Sequence, residues 1–461
     1  MTTVREILDE QRAFFRTGAT RPLEFRVEQL RRLQDALKAG ENFLLQALAK
    51  DLGRPAPEAV VSEIAMVAAE IEYAAAKLRR WVRPQRRRVP LLAFPASGWI
   101  QPEPLGVVLI LGPWNYPVQL LLMPLVGAIA AGNCAVLKPS ELAPETSRAL
   151  ARLIRDTFSP AHVRLLEGGP DLAEALVSEP FDKIFFTGSR STGRRVMLAA
   201  AHHLTPVVLE LGGKSPCIVC KDAPLDVAAR RIAWGKFLNA GQTCVAPDFV
   251  LVEEPVCEAL IEALTRAIRE FFGDNPRRSA DYGRIVNRAH FERLRSLLSG
   301  GRVILGGDMD AESLYFGPTL ITDVSPDAPL MQEEIFGPLL PILSFRHLDE
   351  ALEWLAQQPA PLALYLFTRQ RAIQERVLAR TRSGGVCIND TILQVAAREL
   401  PFGGLGPSGM GVYHGHASFQ TFSHYRPVLR RSLFPDWRWR YPPSRLALSR
   451  LKCLARWLLR W

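Results

Sequence analysis

From about Gln101 onward the chain alternates short apolar runs with helix-like segments, punctuated by Gly and Pro, and this alternation decides the fold class. Gly106-Val107-Val108-Leu109-Ile110-Leu111-Gly112 carries no polar side chain, so it reads as a strand buried on both faces. Cys134-Ala135-Val136-Leu137 and Lys183-Ile184-Phe185-Phe186 read the same way. Runs of this kind separated by helices build parallel α/β units. A second α/β region is expected from about residue 206 to 400, with a helix near 256–272. The first 85 residues are helical instead: Val27, Leu30, Leu33 and Leu37 recur at steps of three and four, and residues 62–81 repeat the pattern. The basic stretch Arg79 through Arg88 reads as a solvated connector. The apolar stretch 120–137 approaches membrane-spanning length, but Pro124, Gly127, Gly132 and Asn133 interrupt it. A buried helix, a turn and a strand are expected there.

A length of 461 residues suggests two or three domains. The start, Met1-Thr2-Thr3-Val4-Arg5-Glu6, runs into charged helix-like sequence with no visible signal peptide. Seven cysteines without regular spacing argue for a reducing compartment rather than a disulfide framework. Cys217-Ile218-Val219-Cys220 is formally CxxC, yet its neighbours read as a buried strand, so core cysteines are expected. His414-Gly415-His416 has no third ligand nearby and reads as loop histidines; no metal is expected. The net charge of +10 is concentrated at the end: residues 430–461 hold nine Lys/Arg against Asp436, leaving +2 for the first 429. A nucleic-acid partner therefore has no support.

The chemistry-bearing segments are Gly241-Gln242-Thr243-Cys244-Val245-Ala246-Pro247 and, beginning 34 residues before Cys244, Glu210-Leu211-Gly212-Gly213-Lys214-Ser215-Pro216. A thiol among small residues can be approached by a substrate, and a separate carboxylate completes the minimum equipment for covalent acyl chemistry. These runs resemble the signature segments of aldehyde dehydrogenases, and the similarity extends from about Gly18 to Pro443. Ala233-Trp234-Gly235-Lys236-Phe237, Pro401-Phe402-Gly403-Gly404, Phe419-Gln420-Thr421-Phe422-Ser423-His424 and Arg440-Tyr441-Pro442-Pro443 resemble the class 3 branch, which handles fatty and aromatic aldehydes.

The resemblance implies an α/β fold with a Rossmann-type nucleotide-binding domain (1–84 and 101–206) and a second α/β catalytic domain (207–400). It also implies a small β oligomerisation arm (85–100 and 401–429) that builds a homodimer. It implies Cys244 as nucleophile, Glu210 as base for the deacylating water, and Asn115 of Pro113-Trp114-Asn115-Tyr116-Pro117 as oxyanion donor together with the Cys244 N–H. Lys138 and Glu141 would hold the adenosine ribose, Gly188, Ser189 and Gly193 the pyrophosphate, and Glu334 and Phe336 the nicotinamide riboside. Tyr116, Trp234 and Thr243 are the candidate substrate contacts. NAD is the expected cofactor, with NADP also accepted because Lys138 and Arg190 offset a carboxylate on the ribose.

Residues 430–461 read as a basic amphipathic tail: Arg445, Ser449, Lys452, Arg456 and Arg460 share one helical stripe, away from Leu446, Leu451, Leu454, Leu458 and Trp461. Such a helix suits a membrane surface through residues 444–461; packing over a partner subunit near the substrate entrance is the other reading. A cytoplasmic protein, peripheral on the cytoplasmic face of a membrane, is expected. Two further readings of the chain remain: a dehydrogenase that passes its thioester to coenzyme A, which Glu210 disfavours, and a catalytically silent scaffold that kept the fold.

Overall fold

The computed structural model describes residues 3–437, 441–443 and 447–459. Helix α1 (Val4–Arg16) starts at a capping box in which Thr3 and Glu6 satisfy each other's backbone N–H groups. Helix α2 (Leu23–Leu52) buries Leu30, Leu33 and Leu37, the predicted stripe, and ends at Gly53 in the left-handed region. A short α3 (Ala56–Ala59) and a π turn (Val60–Ile64) lead into α4 (Ala65–Trp81), which packs along α2. The basic connector proves to be partly a strand: β1 (Gln85–Arg87) pairs antiparallel with β2 (Ala96–Pro104).

The first large sheet follows. Its strands are β3 (Val107–Leu111), β4 (Cys134–Lys138), β5 (Val163–Leu165), β6 (Lys183–Thr187) and β7 (Val207–Glu210). Helices α5 (Gln119–Ala131), α6 (Pro144–Thr157), α7 (Pro170–Val177) and α8 (Arg190–Ala201) connect them. The order β7-β6-β3-β4-β5 is parallel throughout, so the chain builds outward from β3 one way and then returns to build the other way from β6. That reversal opens a crevice beyond the carboxyl ends of β3 and β6, where such sheets bind ligands. Every residue of α5 is buried, as is every residue of β4, which accounts for the apolar stretch 120–137 without a membrane. Among the described residues no helix is long and apolar enough to cross a bilayer.

The second sheet begins with β8 (Pro216–Val219), α9 (Leu225–Phe237), β9 (Phe249–Glu253), α10 (Cys257–Phe272), α11 (Arg288–Leu297) and β10 (Arg302–Leu305). A ribbon of β11 (Met309–Asp310) and β12 (Tyr315–Phe316) precedes β13 (Thr319–Thr322), α12 (Pro329–Gln332), β14 (Leu339–Phe345) and α13 (Leu348–Gln357). It closes with β15 (Ala363–Phe367), α14 (Arg371–Arg380) and β16 (Gly385–Ile388). The order is β10-β13-β14-β9-β8-β15-β16, parallel except for β10 against β13. Cys217 in β8 and Cys220 just beyond it are buried and free, as strand packing requires.

Three boundaries differ from the sequence reading. The division at 206/207 falls one strand early, because β7 hydrogen-bonds to β6 and belongs to the first sheet. Residues 401–422 are not arm: β17 (Gly409–Met410) adds an antiparallel edge to β7, and α15 (Gly415–Thr421) packs on α5 and α4. The arm itself is β1, β2 and β18 (Ser423–Arg431), with β18 matched to β2 over its full length, so it reaches past residue 429. His414 does lie outside the helix, in the bend that caps α15, but it is buried there, its ring stacked on Phe402, and burial lowers its pKa to about 3. His416 sits within α15, its ring against those of Trp81 and Phe419. Helix α16 (Leu448–Leu459) rests against Leu91–Ala93 with Leu458 buried, while Ser449, Lys452 and Arg456 are exposed. Arg445, Leu446, Arg460 and Trp461 lie outside the described residues.

Candidate active site

Between the end of β7 at Glu210 and the start of β8 at Pro216 the chain crosses from the first sheet to the second, so Glu210 stands at the seam. Opposite it, Cys244 sits in the loop between α9 and β9. That loop is held in an unusual shape: Asn239, Ala240 and Gly241 all have left-handed backbone (φ 51°, 51° and 78°). Gly241 is required, since a Cβ there would lie 2.2 Å from the carbonyl oxygen of Gly337. For Asn239 and Ala240 the conformation costs on the order of 1 kcal/mol each, strain of the kind that gathers at functional loops. Gln242 restrains the loop, donating to the Asn239 and Arg284 carbonyls (3.0 and 2.9 Å) and accepting from the Val286 N–H (2.9 Å).

Cys244 is half-buried and borders two cavities. The first, about 630 Å³, is the crevice between the sheets; Asn115, Gly188, Ser189, Glu210, Glu334 and Phe336 all line it. The second, about 470 Å³, is lined mainly by apolar groups, among them Phe237, Phe271, Phe272, Ile392 and Phe402. Tyr116, Trp234 and Thr243, the three residues picked out as substrate contacts, line this second cavity. The Tyr116 hydroxyl and Thr243 Oγ1 are 2.7 Å apart and tie the two loops together beside the thiol.

Glu210 is 1% exposed, and neither carboxylate oxygen has a hydrogen-bond partner. Burial pushes its pKa up to about 7, against a smaller lowering by the facing Cys244 thiol and Thr187 hydroxyl. The thiol is likewise pushed well above its ordinary range, first by burial and then by the charges of Glu210 and Glu334. Glu334 folds onto the glycine turn, where a Cβ at Gly212 would stand 1.9 Å from its Oε2. Burial and the charge of Asp248 raise Glu334 to about 8, partly offset by the Gly213 N–H. Its segment is clamped by the glycine turn's own lysine and by the residue before β9. Lys214 Nζ donates to Asp248 Oδ2 and to the carbonyls of Leu330 (2.8 Å) and Glu333 (3.0 Å), while Asp248 Oδ1 accepts from the Ile335 N–H (2.9 Å).

Helix α8 opens onto the crevice. Ser189 caps it by accepting from the Thr192 N–H (3.3 Å), and Gly188 through Ser191 line the cavity with the helix's first turn. First-turn N–H groups lack acceptors within a helix and favour anions, which fits a diphosphate. Gly193 packs beneath them against Leu211 rather than lining the space. Lys138 and Glu141 stand apart from this cavity, at the carboxyl end of β4, paired with each other at 2.6 Å. Among the described residues no group of three or more His, Cys, Asp or Glu could hold a metal.

Sequence reasoning missed the apolar lining and the supports. Phe271 and Phe272 at the end of α10 read as core, and no spacing ties them to Ile392 or Phe402. Tyr365, whose hydroxyl donates to the Val245 carbonyl and accepts from Gln394 Nε2 (3.1 Å), reads as an ordinary strand tyrosine.

Known proteins resemble this chain over nearly its whole length. The family model described as "Aldehyde dehydrogenase family" matches residues 2–428. The 4,4'-diaponeurosporen-aldehyde dehydrogenase of Staphylococcus aureus is 46% identical, covering 94% of this chain and 95% of its own. Mouse aldehyde dehydrogenase family 3 member A2 is 45% identical over 95% of this chain and 91% of its own. A dog enzyme named aldehyde dehydrogenase, dimeric NADP-preferring, is 45% identical over 98% and 100%. A solved substrate-bound Staphylococcus aureus AldH superposes with a TM-score of 0.96 at 45% identity, covering 98% of this chain and 100% of its own. With its crevice, thiol and carboxylate in place, the chain belongs to the aldehyde dehydrogenase family, on the class 3 side, and is an NAD(P)-dependent oxidoreductase.

Proposed function

We propose that this enzyme oxidises medium- to long-chain aliphatic or aromatic aldehydes to acids, with Cys244 as nucleophile, Glu210 as general base and Asn115 as oxyanion donor. The observation that carries the reading is the thiol at the meeting point of a polar crevice and an apolar cavity. An aldehyde tail buried among Phe237, Phe271, Phe272 and Phe402 delivers its carbonyl carbon to Cys244 Sγ. Sulfur attack makes that carbon tetrahedral, and the oxygen's developing charge is met by Asn115 Nδ2 and the Cys244 N–H. In this reading Glu210, buried with unpaired oxygens, takes the thiol proton, releases it to solvent before deacylation, and then takes the proton of the water that attacks the thioester. Its pKa of about 7 lets one group do both near neutrality. Bound NAD or NADP supplies the hydride acceptor. In this reading Gly188, Ser189 and Gly193 build the diphosphate seat, Glu334 and Phe336 hold the nicotinamide riboside, and Lys138 and Glu141 take the adenosine ribose. A Glu141 already neutralised by Lys138 repels a 2′-phosphate weakly, so NAD is used and NADP tolerated.

Two coarser features complete the proposal. The antiparallel arm and the likeness to a dimeric relative support a homodimer. Exposed Arg450, Lys452, Arg456 and Trp457 on α16, and exposed Leu433 and Phe434 earlier in the tail, support peripheral binding to an anionic membrane. The test is the initial rate of reduced-nicotinamide formation across aldehydes from short aliphatic to hexadecanal, plus benzaldehyde, with NAD and with NADP. Rates that rise with chain length are expected; no rate with any aldehyde under either cofactor contradicts the function.

A further inference from the structure

The turn that carries Asn115 has no helix or strand of its own, so its position is set from outside. Arg54, the residue after the left-handed cap of α2, is completely buried and aims its guanidinium there. One nitrogen donates to the Asn115 main-chain carbonyl; another pairs with Glu63; Nε lies 3.4 Å from Glu58 Oε1; and the group stands 4.5 Å from the centre of the Tyr116 ring.

Its partners reach further. Glu63, in the π turn, uses its other oxygen to accept from the N–H groups of Val118 and Gln119, both at 2.9 Å, which caps the start of α5. Glu58 accepts from the Asn239 N–H at 3.0 Å. Asn239 Nδ2 then donates to the same Asn115 carbonyl (2.9 Å) and to the Gln242 carbonyl (3.1 Å), which also receives Asn115 Nδ2 (3.1 Å). The Asn115 carbonyl is thus pinned by two donors, one from the N-terminal helices and one from the loop that carries Cys244.

We propose that Arg54 is a positioning residue for the oxidation: it fixes the Asn115 turn against the Cys244 loop so that the Asn115 amide meets the developing oxyanion. A buried ion pair is weak support for stability, since well-packed apolar residues often serve as well. What an apolar residue lacks is a rigid fork that serves Glu63, Glu58 and a carbonyl at once, and a lysine ammonium lacks that fork too. The inference rests on the oxyanion role of Asn115 given above.

The test is a double-mutant cycle on full-length enzyme with Arg54→Lys, Asn115→Ala and the pair, reading kcat, KM and cofactor affinity. Arg54→Lys is expected to lower kcat about 10- to 100-fold with KM within about threefold and cofactor affinity unchanged. Because it acts through Asn115, the same change made on Asn115→Ala is expected to cost less than about threefold more. Equal losses in both backgrounds, or no loss in the first, overturn the proposal. Full kcat in Asn115→Ala alone overturns the oxyanion reading itself, and Arg54's role with it. Should Arg54→Lys not fold, Glu63→Gln is read in the same cycle: a smaller kcat loss that vanishes beside Asn115→Ala supports the proposal, and one that persists overturns it.

Discussion

On one side of Cys244 lie Glu210, Glu334, the glycine turn and the first turn of α8; on the other lie Phe237, Phe271, Phe272, Ile392 and Phe402. The polar side comes from short contiguous segments, because a carboxylate or a phosphate must meet backbone N–H groups at set distances. The apolar side is gathered from α3, α9, α10 and the loop after β16, because any side chain of suitable volume fills it. In the proposed function the first side carries the chemistry and the second selects the aldehyde.

The largest expected effect breaks the polar side. Cys244→Ala is expected to remove more than about 10³-fold of dehydrogenase activity, with cofactor binding retained by fluorescence titration. Glu210→Gln comes next, slowing turnover about 10²- to 10⁴-fold by stalling thioester hydrolysis. Glu210 acts as a base only when ionised, so the wild-type rate is expected to fall about tenfold per unit below about pH 7, a limb that Glu210→Gln lacks. A second sign follows from the same group. Its raised folded pKa means that the folded state holds a proton the unfolded state has lost, so stability falls as pH rises from the unfolded value to about 7 and the full cost is present above it. Glu210→Gln is therefore expected to melt higher than wild type at pH 8.

Changes on the apolar side sharpen the contrast. Trp234→Ala is expected to raise KM for hexadecanal about tenfold while leaving kcat for propanal within twofold, since lost apolar contact is worth only about 1–3 kcal/mol. A kcat loss with propanal would show that the apolar cavity takes part in the chemistry. The smallest effect on catalysis belongs to the tail. Deleting residues 444–461 is expected to reduce co-sedimentation with anionic vesicles severalfold while the propanal rate stays unchanged.

The same contrast explains what could be read from the sequence. Strands such as Val107–Leu111 announce themselves because both faces are buried, and Glu210, Cys244 and Asn115 stood out through the family resemblance of the segments around them; all three line one crevice. The boundary at β7 was hidden because a strand next to a domain crossing carries no mark of which sheet it joins. Arg54 and Glu63 were hidden for another reason. They act through contacts with Asn115 and with Val118 and Gln119, more than fifty residues away, and a lone arginine after a helix-ending glycine reads as solvated. For His414 and His416 it was the packing that was hidden: histidines flanking a glycine read as solvated, yet Phe402 covers the first and α15 holds the second against Trp81.

The most direct measurement is the intact mass of Glu210→Gln mixed with NAD and a long-chain aldehyde, followed by peptide mapping. A division of labour between Cys244 and Glu210 demands an acyl adduct on Cys244 that accumulates in about one equivalent and decays slowly. No adduct, or an adduct on another residue, would contradict it.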